Sequence, residues 1–393
     1  MVRSPGSTRR FMVMSLSALA LGGCDTNTDD DPLAKLPRGF TTYNLGLATG
    51  YVDYAEERRP KLIELIQTFN TDVICMQEVW TEDDAKAVVA GVAATYPYSH
   101  YEIISDDTVG PPACTQADTV DLLACVEDKC DGVPSSEITN CVLNNCGTEF
   151  GALPDGCVNC LAANIGKEIP EIVSICQAGS PKFTYGGANG LLVISRSPIS
   201  DPQHLALESS LVQRSVLGVT VNLPLLGKVA VACTHIASDL SKDIPYTGPF
   251  ASYEAENKAQ AEAVRDFLAT YGASASLRVV MGDINSGPGS GTTVTPEIPL
   301  AGYSVLKDAG FAVFPSAMGD SGMFCTFCAD NALINDETPS VQLDHIALSV
   351  MPAGFSPAIT RIATEPVTIT AKDGATVTTN ASDHYGVSLR LNR

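Results

Sequence analysis

Residues 277–285 read Leu-Arg-Val-Val-Met-Gly-Asp-Ile-Asn, a short apolar run that ends in an acidic and an amide side chain. The run 277–281 predicts a buried strand, with Asp283 and Asn285 at its end. Polar groups that close buried strands meet at one rim of a sheet, so we expect these groups to converge with others like them. The similar runs end at Tyr43-Asn44, Met76-Gln77-Glu78, Thr234-His235, Leu343-Asp344-His345 and Ser382-Asp383-His384.

Each of these motifs also has an ordinary explanation. Glu78 could end a strand in solvent, and the segment 282–285 suits an Asx-type turn. His235 could be a core histidine, and Asp383-His384 could open a surface loop. Because all of them occupy the same place in their elements, a shared site is the better interpretation. Oxygen and amide ligands with two or three imidazoles suit a divalent metal and in-line attack on phosphorus.

Helical segments separate the predicted strands, which indicates an α/β fold. Residues 54–70 place Leu62, Leu65, Ile66 and Phe69 on one face. Residues 250–271 place Phe267 and Leu268 inward with Ala259 and Ala263. After residue 271 we expect strands and no helix. The Gly-, Pro- and Ser-rich stretch 286–336 predicts a long active-site loop. The other predictions are a helix over 82–94 and strands over 40–47, 73–76, 98–104, 190–196, 215–223, 228–234, 341–350, 359–369 and 386–391.

The chain starts with features of an export signal. Basic residues at positions 3, 9 and 10 precede an apolar run, 11–21, that is too short to span a bilayer. The sequence Leu21-Gly22-Gly23-Cys24 resembles a bacterial lipobox, which implies cleavage before Cys24 and attachment of a diacylglyceryl group to it. The alternative is an ordinary signal peptide with a chance cysteine. We predict an exported, membrane-anchored lipoprotein of the cell envelope, with signal 1–23 and polar linker 24–38.

The charge of the chain bears on its substrate. The formal net charge is −21, and loss of the three arginines of the signal would make it −24. Nucleic-acid binding usually rests on basic phosphate contacts, so this charge argues against a nuclease. The argument is weak, because an acidic enzyme can carry a local basic groove. The main cations available for one are Arg196, Arg214 and Lys242.

Eight of the thirteen cysteines fall within residues 113–179, where Cys125, Cys141 and Cys157 recur every sixteen residues. An even number of cysteines in an exported protein predicts a disulfide framework, whose pairing stays open. Zinc is the alternative, but the segment has one C-x2-C and no histidine. We interpret 113–179 as a cysteine-rich insertion into a domain formed by 39–112 and 180–393.

The remaining cysteines are predicted separately. Cys325 and Cys328 are close in sequence and are expected to form a local bridge. Cys75 and Cys233 lie in apolar strands and are expected to be buried thiols.

Six ordered motifs resemble those of the endonuclease/exonuclease/phosphatase superfamily. They are Tyr43-Asn44 with the following Leu-Gly, Met76-Gln77-Glu78-Val79, the run 192–199, Thr234-His235, Gly282-Asp283-Ile284-Asn285, and the pair Leu343-Asp344-His345-Ile346 and Ser382-Asp383-His384. The resemblance covers residues 39–393 apart from the insertion. It implies a four-layer α/β sandwich, two packed mixed sheets flanked by helices. It also implies a divalent-metal phosphoesterase that uses Mg²⁺ or Mn²⁺.

The resemblance also implies a part for each residue. Glu78 corresponds to the principal metal ligand, with Asn44 near it and Asp383 in support of the metal. Catalytic parts fall to the five remaining residues. They are Asp283 and Asn285, which orient the water and hold a phosphoryl oxygen; His384, as general base or transition-state stabiliser; Asp344, which fixes the tautomer of His384; and His235, which contacts phosphoryl oxygens.

The substrate depends on which branch of the superfamily the chain resembles. Thr234-His235 and Asn189-Gly190 resemble neutral sphingomyelinases, and a lipid anchor would place the site near membrane head groups. The motif at Asp344 lacks the Cys-Asp-Arg pattern of inositol polyphosphate 5-phosphatases. We therefore predict a phosphodiesterase acting on a phospholipid such as sphingomyelin. The alternatives are a secreted DNA or RNA endonuclease and, in another class, a non-catalytic surface protein that binds through the insertion.

Overall fold

The computed structural model describes residues 39–102, 108–133, 138–291, 293–298, 301–319, 322–334 and 338–393. The predicted signal, Cys24 and the linker lie outside these residues. The strands are β1 (Gly39–Asn44), β2 (Val73–Gln77), β3 (Tyr98–His100), β4 (Val109–Gly110), β5 (Ser180–Pro181), β6 (Leu192–Ser195), β7 (Ile199–Ala206), β8 (Ser215–Leu223), β9 (Gly227–His235), β10 (Leu277–Asp283), β11 (Ala312–Phe314), β12 (Asp344–Leu348), β13 (Ser356–Ile362), β14 (Val367–Thr370), β15 (Thr376–Thr379) and β16 (Gly386–Asn392). The helices are α1 (Ala55–Ile66), α2 (Glu82–Val92), α3 (Gln116–Lys129), α4 (Ile138–Asn145), α5 (Gly147–Gly151), α6 (Asp155–Ala163), α7 (Ile169–Ala178), α8 (Tyr253–Tyr271) and α9 (Ala301–Asp308).

Two six-stranded sheets carry the domain, and both have the same internal plan. Sheet 1 has the order β13-β16-β1-β2-β6-β3, and sheet 2 has the order β11-β12-β10-β9-β8-β7. In each sheet one central pair is parallel, β1 with β2 and β9 with β10, and its neighbours are antiparallel. Helix α1 joins the first parallel pair and α8 joins the second. Each parallel pair therefore brings two strand carboxyl ends to the same rim.

Three apolar clusters form the layers. The largest lies between the sheets, where Phe40 and Val193 of sheet 1 pack with Val231 and Met281 of sheet 2. A second cluster joins the other face of sheet 1 to α1 and α2, and a third joins sheet 2 to α8 and α9. This arrangement is the predicted four-layer α/β sandwich.

The predicted elements are largely present, with two corrections after residue 271. The stretch 286–336 is not only a loop, because it contains α9 and β11. Sequence periodicity missed α9 because the helix is short and is capped by distant residues. The Asn257 side chain accepts from Gly302 N at 2.9 Å, and Ser286 Oγ accepts from Tyr303 N at 2.8 Å. The predicted strand 359–369 is likewise wrong as a single element.

Ala363, with φ of 58°, separates β13 in sheet 1 from β14, which pairs with β15 in a small sheet of its own. The face of α8 is also displaced from the prediction. Leu268 is buried as expected, but Ala259 and Ala263 are only partly buried. The buried stripe instead includes polar Glu256, Asn257 and Gln260, which an apolar pattern cannot reveal. Strand β1 ends at Asn44, earlier than predicted.

The cysteine-rich segment is helical. It is connected to the domain through a two-stranded sheet, in which β4 pairs with β5. Its eight cysteines form four disulfides, which confirms the predicted framework. The pairs are Cys114–Cys157, Cys125–Cys146, Cys130–Cys141 and Cys160–Cys176. The Cys325–Cys328 bridge is present as predicted. The helices of the insertion share an apolar cluster with Leu211 and Ile244 of the main domain, so the insertion is packed against that domain.

The prediction of buried thiols at Cys75 and Cys233 is wrong. The two residues form a disulfide between β2 and β9, one strand from each sheet. Both lie in the apolar cluster between the sheets. The sequence signal was ambiguous because an apolar strand is the normal setting for a buried thiol and for a disulfide alike.

No helix in the described part of the chain is long and apolar enough to cross a membrane.

Candidate active site

The predicted polar residues lie together at one rim, formed by both sheets. Sheet 1 contributes Asn44 at the end of β1, Glu78 just after β2, and the pair Asp383-His384 just before β16. Sheet 2 contributes the residues at the ends of β9 and β10 and the first residue of β12. In the strand register, Asp283 lies opposite both His235 and Asp344. Half of the site therefore comes from each sheet.

Asn44 connects the two halves. Its Nδ2 donates to Glu78 Oε1 at 3.0 Å and to Asp283 Oδ2 at 3.1 Å. Its Oδ1 accepts from Gly46 N at 3.0 Å, which fixes the orientation of the amide. The carboxylates of Glu78 and Asp283 therefore face the same pocket although 205 positions separate them in sequence. This placement is the one that strand-end reasoning predicts.

His384 and Asp344 form a buried pair. His384 Nδ1 lies 2.8 Å from Asp344 Oδ2, while its Nε2 lies 3.8 Å from Asp283 Oδ2. Burial lowers the pKa of His384, but the surrounding carboxylates of Asp344, Asp283 and Asp383 outweigh it and hold that pKa well above its usual value. Asp344 Oδ1 is buried without a hydrogen-bond partner among the described residues. The pair thus orients the imidazole with Nε2 toward the pocket.

Asp283 is the most contacted group of the site. Besides Asn44, its Oδ2 lies 3.5 Å from His235 Nε2, and its Oδ1 accepts from Asn285 N at 3.0 Å. Burial, followed by the charge of Asp344, raises the pKa of Asp283 to about 7. Burial also lowers the pKa of His235 well below its usual value, and so do the charges of Arg214 and His384. His235 is therefore neutral.

Two site residues have left-handed backbone. Glu78 has φ of 58° and Asn285 has φ of 48°, a conformation that costs on the order of 1 kcal/mol or more in a residue other than glycine. Asn285 Nδ2 donates to Ile236 O at 2.9 Å, which keeps its side chain at the rim. Such strain persists only where the surroundings impose it, and it is common at active sites.

Asp383 lies beside the loop that follows β1. Ser382 Oγ is 2.8 Å from Asn44 O and 3.1 Å from Asp383 Oδ1. Gly46, with φ of 54°, leaves the space that Asp383 occupies, because a Cβ there would collide with Asp383 Oδ1. Burial, and after it the charge of Asp383, raises the pKa of Glu78. The two carboxylates therefore repel each other.

The residues present fit a hard divalent cation. Glu78, Asp383 and the Asn44 amide offer oxygen donors, and the repulsion between the carboxylates is the kind that a bound cation relieves. A second acidic group, Asp283 with Asp344 and His384, has ligand atoms within 4.8 Å of one another. We interpret that second group as the hydrogen-bonded pair of His384 and Asp344 with Asp283 beside it. His384 Nδ1 contacts Asp344, and the raised pKa of His384 favours an imidazolium, which binds no metal.

Sequence reasoning missed Arg58, which is fully buried beneath the site. Its guanidinium donates to the carbonyl groups of Leu45, Gly46 and Ala381. It thereby ties the loop after Asn44 to the loop that carries Asp383. The signal was present, since Arg58 precedes Leu62 by one helical turn on the apolar face of α1.

Arg196, one of the cations available for a basic groove, lies away from the site. Its guanidinium donates to Thr71 O and Phe69 O and stacks over Tyr96, at the opposite end of β2 from Glu78. Arg214 is near the site but buried, and Lys242 is exposed on a loop. His345, next to Asp344 in the same motif, is a core histidine bonded to Ser286 O.

Aromatic side chains line the pocket next to His235. The rings of Trp80 and Tyr185 stack with centroids 4.8 Å apart, and Trp80 is 6.4 Å from the ring of His235. Burial is the main cause of a raised pKa at Tyr185, and the charges of Tyr51 and Glu78 add to it. These aromatic residues therefore lie close to the proposed metal ligands.

Comparison with known proteins agrees with this architecture. The solved structures similar to the chain include sphingomyelinase C from Streptomyces griseocarneus, with 17% identity, a TM-score of 0.53, and 90% of this chain and 99% of that chain covered. They also include SmcL, with 14% identity, a TM-score of 0.53 and coverage of 90% and 98%. A beta toxin from Staphylococcus aureus with bound magnesium ions has 12% identity, a TM-score of 0.51 and coverage of 90% and 99%. At identities this low, the structural similarity shows a shared fold alone.

A search of curated protein sequences gives no match. Residues 41–384, well over half of the chain, match the family described as Endonuclease/Exonuclease/phosphatase family. That span runs from β1 to His384 and so includes every site residue described above. The chain therefore belongs to the endonuclease/exonuclease/phosphatase family.

Proposed function

We propose that this protein is a divalent-metal-dependent phosphodiesterase that hydrolyses a phospholipid, with sphingomyelin as the leading substrate. The observation that carries the proposal is the meeting of both sheets at Asp283 Oδ2. That atom lies 3.1 Å from Asn44 Nδ2, 3.5 Å from His235 Nε2 and 3.8 Å from His384 Nε2. Burial and the charge of Asp344 raise the pKa of Asp283 to about 7, which suits this carboxylate to accept a proton from a water molecule.

The residues of the chain divide the reaction among them. The water oxygen attacks phosphorus, Asp283 accepts its proton, and the bond from phosphorus to the leaving alcohol oxygen breaks. His384, oriented by Asp344, donates a hydrogen bond to a phosphoryl oxygen as charge builds up, and His235 contacts another. The proton lost by water is balanced by the one that the released alcohol takes from solvent. A magnesium or manganese ion bound by Glu78, Asp383 and Asn44 would neutralise phosphoryl charge.

The surroundings of the site favour a lipid over a nucleic acid. Arg196 is far from the pocket and Lys242 is exposed on a loop, so of the three cations that could have formed a phosphate groove Arg214 alone is near the site. The formal net charge of −21 opposes a polyanion as well. The partly exposed ring of Tyr185, stacked on the buried Trp80, instead offers an aromatic face beside His235, which suits a head group that carries a quaternary ammonium.

The decisive experiment compares substrates with the mature protein and magnesium. We expect release of phosphocholine from sphingomyelin in mixed micelles, no release after chelation, and loss of release in Glu78→Ala. Glu64→Ala, which removes an exposed carboxylate paired with Lys61 on α1, should behave as wild type. Plasmid nicking by wild type that is lost in Glu78→Ala, with no phosphocholine release, would establish the nuclease alternative. Absence of all hydrolysis would favour the non-catalytic binding protein.

We also propose that the protein is exported and anchored through a lipid on Cys24. The six disulfides among the described residues pair twelve of the thirteen cysteines and leave Cys24 as the odd one. Disulfides on this scale are typical of oxidising compartments. Mass spectrometry of the mature amino terminus should find a diacylglyceryl cysteine, and Cys24→Ser should release the protein from membranes. An unmodified amino terminus would contradict the anchor.

A further inference from the structure

An apolar cavity of about 220 Å³ lies beneath the insertion. All five described helices of the insertion contribute to its wall, through Leu122 of α3, Val142 of α4, Phe150 of α5, Leu161 of α6 and Val173 of α7. The main domain closes it with Tyr51, Leu240 and Ile244. The helices are held around this space by the four disulfides of the insertion. The cavity is therefore part of a cross-linked frame, and its wall has little freedom to collapse.

Size and lining define what the cavity can hold. Asp243, the one charged residue of the wall, is exposed, and the buried part of the wall is almost wholly hydrocarbon. A dry apolar cavity of roughly 150 Å³ is enough to bind a benzene-sized molecule. A cavity of about 220 Å³ has room for a longer stretch of hydrocarbon, and the polar side-chain atoms of its described wall are the hydroxyls of Thr139 and Tyr51 and the exposed carboxylate of Asp243.

The cavity is adjacent to the active site. The loop that follows Asn44 and the loop that follows His235 both run from the rim to the cavity wall, where they contribute Tyr51 in one case and Leu240 and Ile244 in the other. Tyr51 links the two places. Its hydroxyl donates to Ala162 O in α6 at 3.3 Å, and its side chain packs against the apolar cluster that contains Trp80, whose ring centroid lies 6.4 Å from that of His235.

We infer that this cavity holds one hydrocarbon chain of the phospholipid substrate while its phosphodiester lies against Asp283 and Glu78. The inference rests on the proposed lipid substrate. A lipid joins a charged head group to an apolar chain, and the pocket at the rim and the cavity under the insertion offer those two environments side by side. Each buried methylene is worth roughly a fourfold gain in binding. The insertion would thus contribute to affinity and selectivity for substrate without touching the reacting atoms.

The test compares a substrate with chains to one without. Leu122→Trp and Val173→Trp fill the cavity from two different helices, and Val120→Trp adds the same bulk to the exposed side of α3 as the matched control. We expect the two filling variants to lower kcat/KM for sphingomyelin in mixed micelles at least about tenfold. Their kcat/KM for p-nitrophenyl phosphocholine, which has no chain, should stay within about twofold of wild type. Val120→Trp should change neither.

A second measurement uses the wild-type protein, because a tryptophan in a packed wall can disturb folding. The fluorescent fatty acid cis-parinaric acid should bind in a one-to-one complex, compete with sphingomyelin and leave p-nitrophenyl phosphocholine turnover unchanged. Lack of binding, equal inhibition of both substrates, or normal sphingomyelin turnover in both filling variants would overturn the inference. If phosphodiester turnover occurs but sphingomyelin and other phospholipids are not cleaved, the proposed lipid function fails. The assignment of the cavity to substrate then fails with it, even where cis-parinaric acid binds.

Discussion

The hydrogen bond between His384 and Asp344 predicts that the two residues act as one catalytic unit. Asp344 is fully buried and its Oδ2 lies 2.8 Å from His384 Nδ1. Asp344→Asn keeps the shape and removes the charge, so the imidazole loses both its orientation and the stabilisation of its charged form. A positioned acid or base contributes about 10²–10⁴-fold to turnover. We therefore expect kcat to fall at least about 100-fold in Asp344→Asn and in His384→Ala, which corresponds to about 2.7 kcal/mol of barrier.

The double variant is the sharper measurement. If the pair acts as a unit, His384→Ala with Asp344→Asn should be no slower than His384→Ala alone, within about threefold. Independent action would multiply the two losses to about 10⁴-fold or more. The assay is kcat on bis(p-nitrophenyl) phosphate at saturating magnesium, with thermal unfolding to show that the fold is retained. Asp373→Asn, at an exposed turn between β14 and β15, is the matched carboxylate-to-amide control. A multiplicative loss, or near-normal kcat in His384→Ala, would refute the pairing.

Three further predictions concern the frame of the site. Arg58→Lys should lower the free energy of unfolding by roughly 2–4 kcal/mol and reduce kcat, because a single ammonium nitrogen cannot reach the carbonyl groups on two loops that the separate nitrogens of the planar guanidinium contact; urea unfolding with turnover checks it. Replacing Cys75 and Cys233 together by alanine should cost roughly 3–5 kcal/mol, because the bond closes a loop with a sequence separation of 158. Reduction should disorder the insertion while excess chelator leaves its helices intact, as measured by circular dichroism and limited proteolysis.

One result would contradict each of these three predictions. Wild-type stability in Arg58→Lys would mean that solvent, and not Arg58, satisfies the loop carbonyls. An unchanged unfolding midpoint in the cysteine-pair variant would show that the packing between the sheets suffices alone. Stoichiometric zinc in the purified, oxidised protein would contradict a purely disulfide-held insertion.

Strand patterns carried most of the information about the fold. The buried strands ending at Gln77, His235 and Asp283 are apolar on both faces, so their positions and the polar groups after them are visible in the sequence. The reason is physical, since each sheet is covered by helices on one face and by the other sheet on the opposite face. Helix α9 escaped prediction because its amino-terminal N–H groups are capped by Asn257 and Ser286, which are distant in sequence.

The sequence predicts which residues lie at the site, but it reveals less about which of their atoms are in contact. All eight proposed residues lie at the rim, since strand ends fix where a side chain starts. Which atoms meet depends on tertiary packing, and nothing local in the sequence reveals that Asn44 joins Glu78 to Asp283. Pairing of Cys75 with Cys233 was likewise hidden, because it depends on which faces of the two sheets meet. The insertion shows a disulfide framework in its sequence, whereas its cavity requires coordinates.

The disulfide between β2 and β9 has a consequence for when the protein can act. Cys75 lies three residues before Glu78, and Cys233 lies two before His235. The bond thus pins the sheets together next to the rim, where a slip of one sheet along the other by about 1 Å would separate groups that must meet and could cost roughly 100-fold in rate. Before this bond forms, packing alone opposes such sliding. On the proposed export, oxidation would then set the alignment of the two half-sites, so that full turnover would begin only in an oxidising compartment.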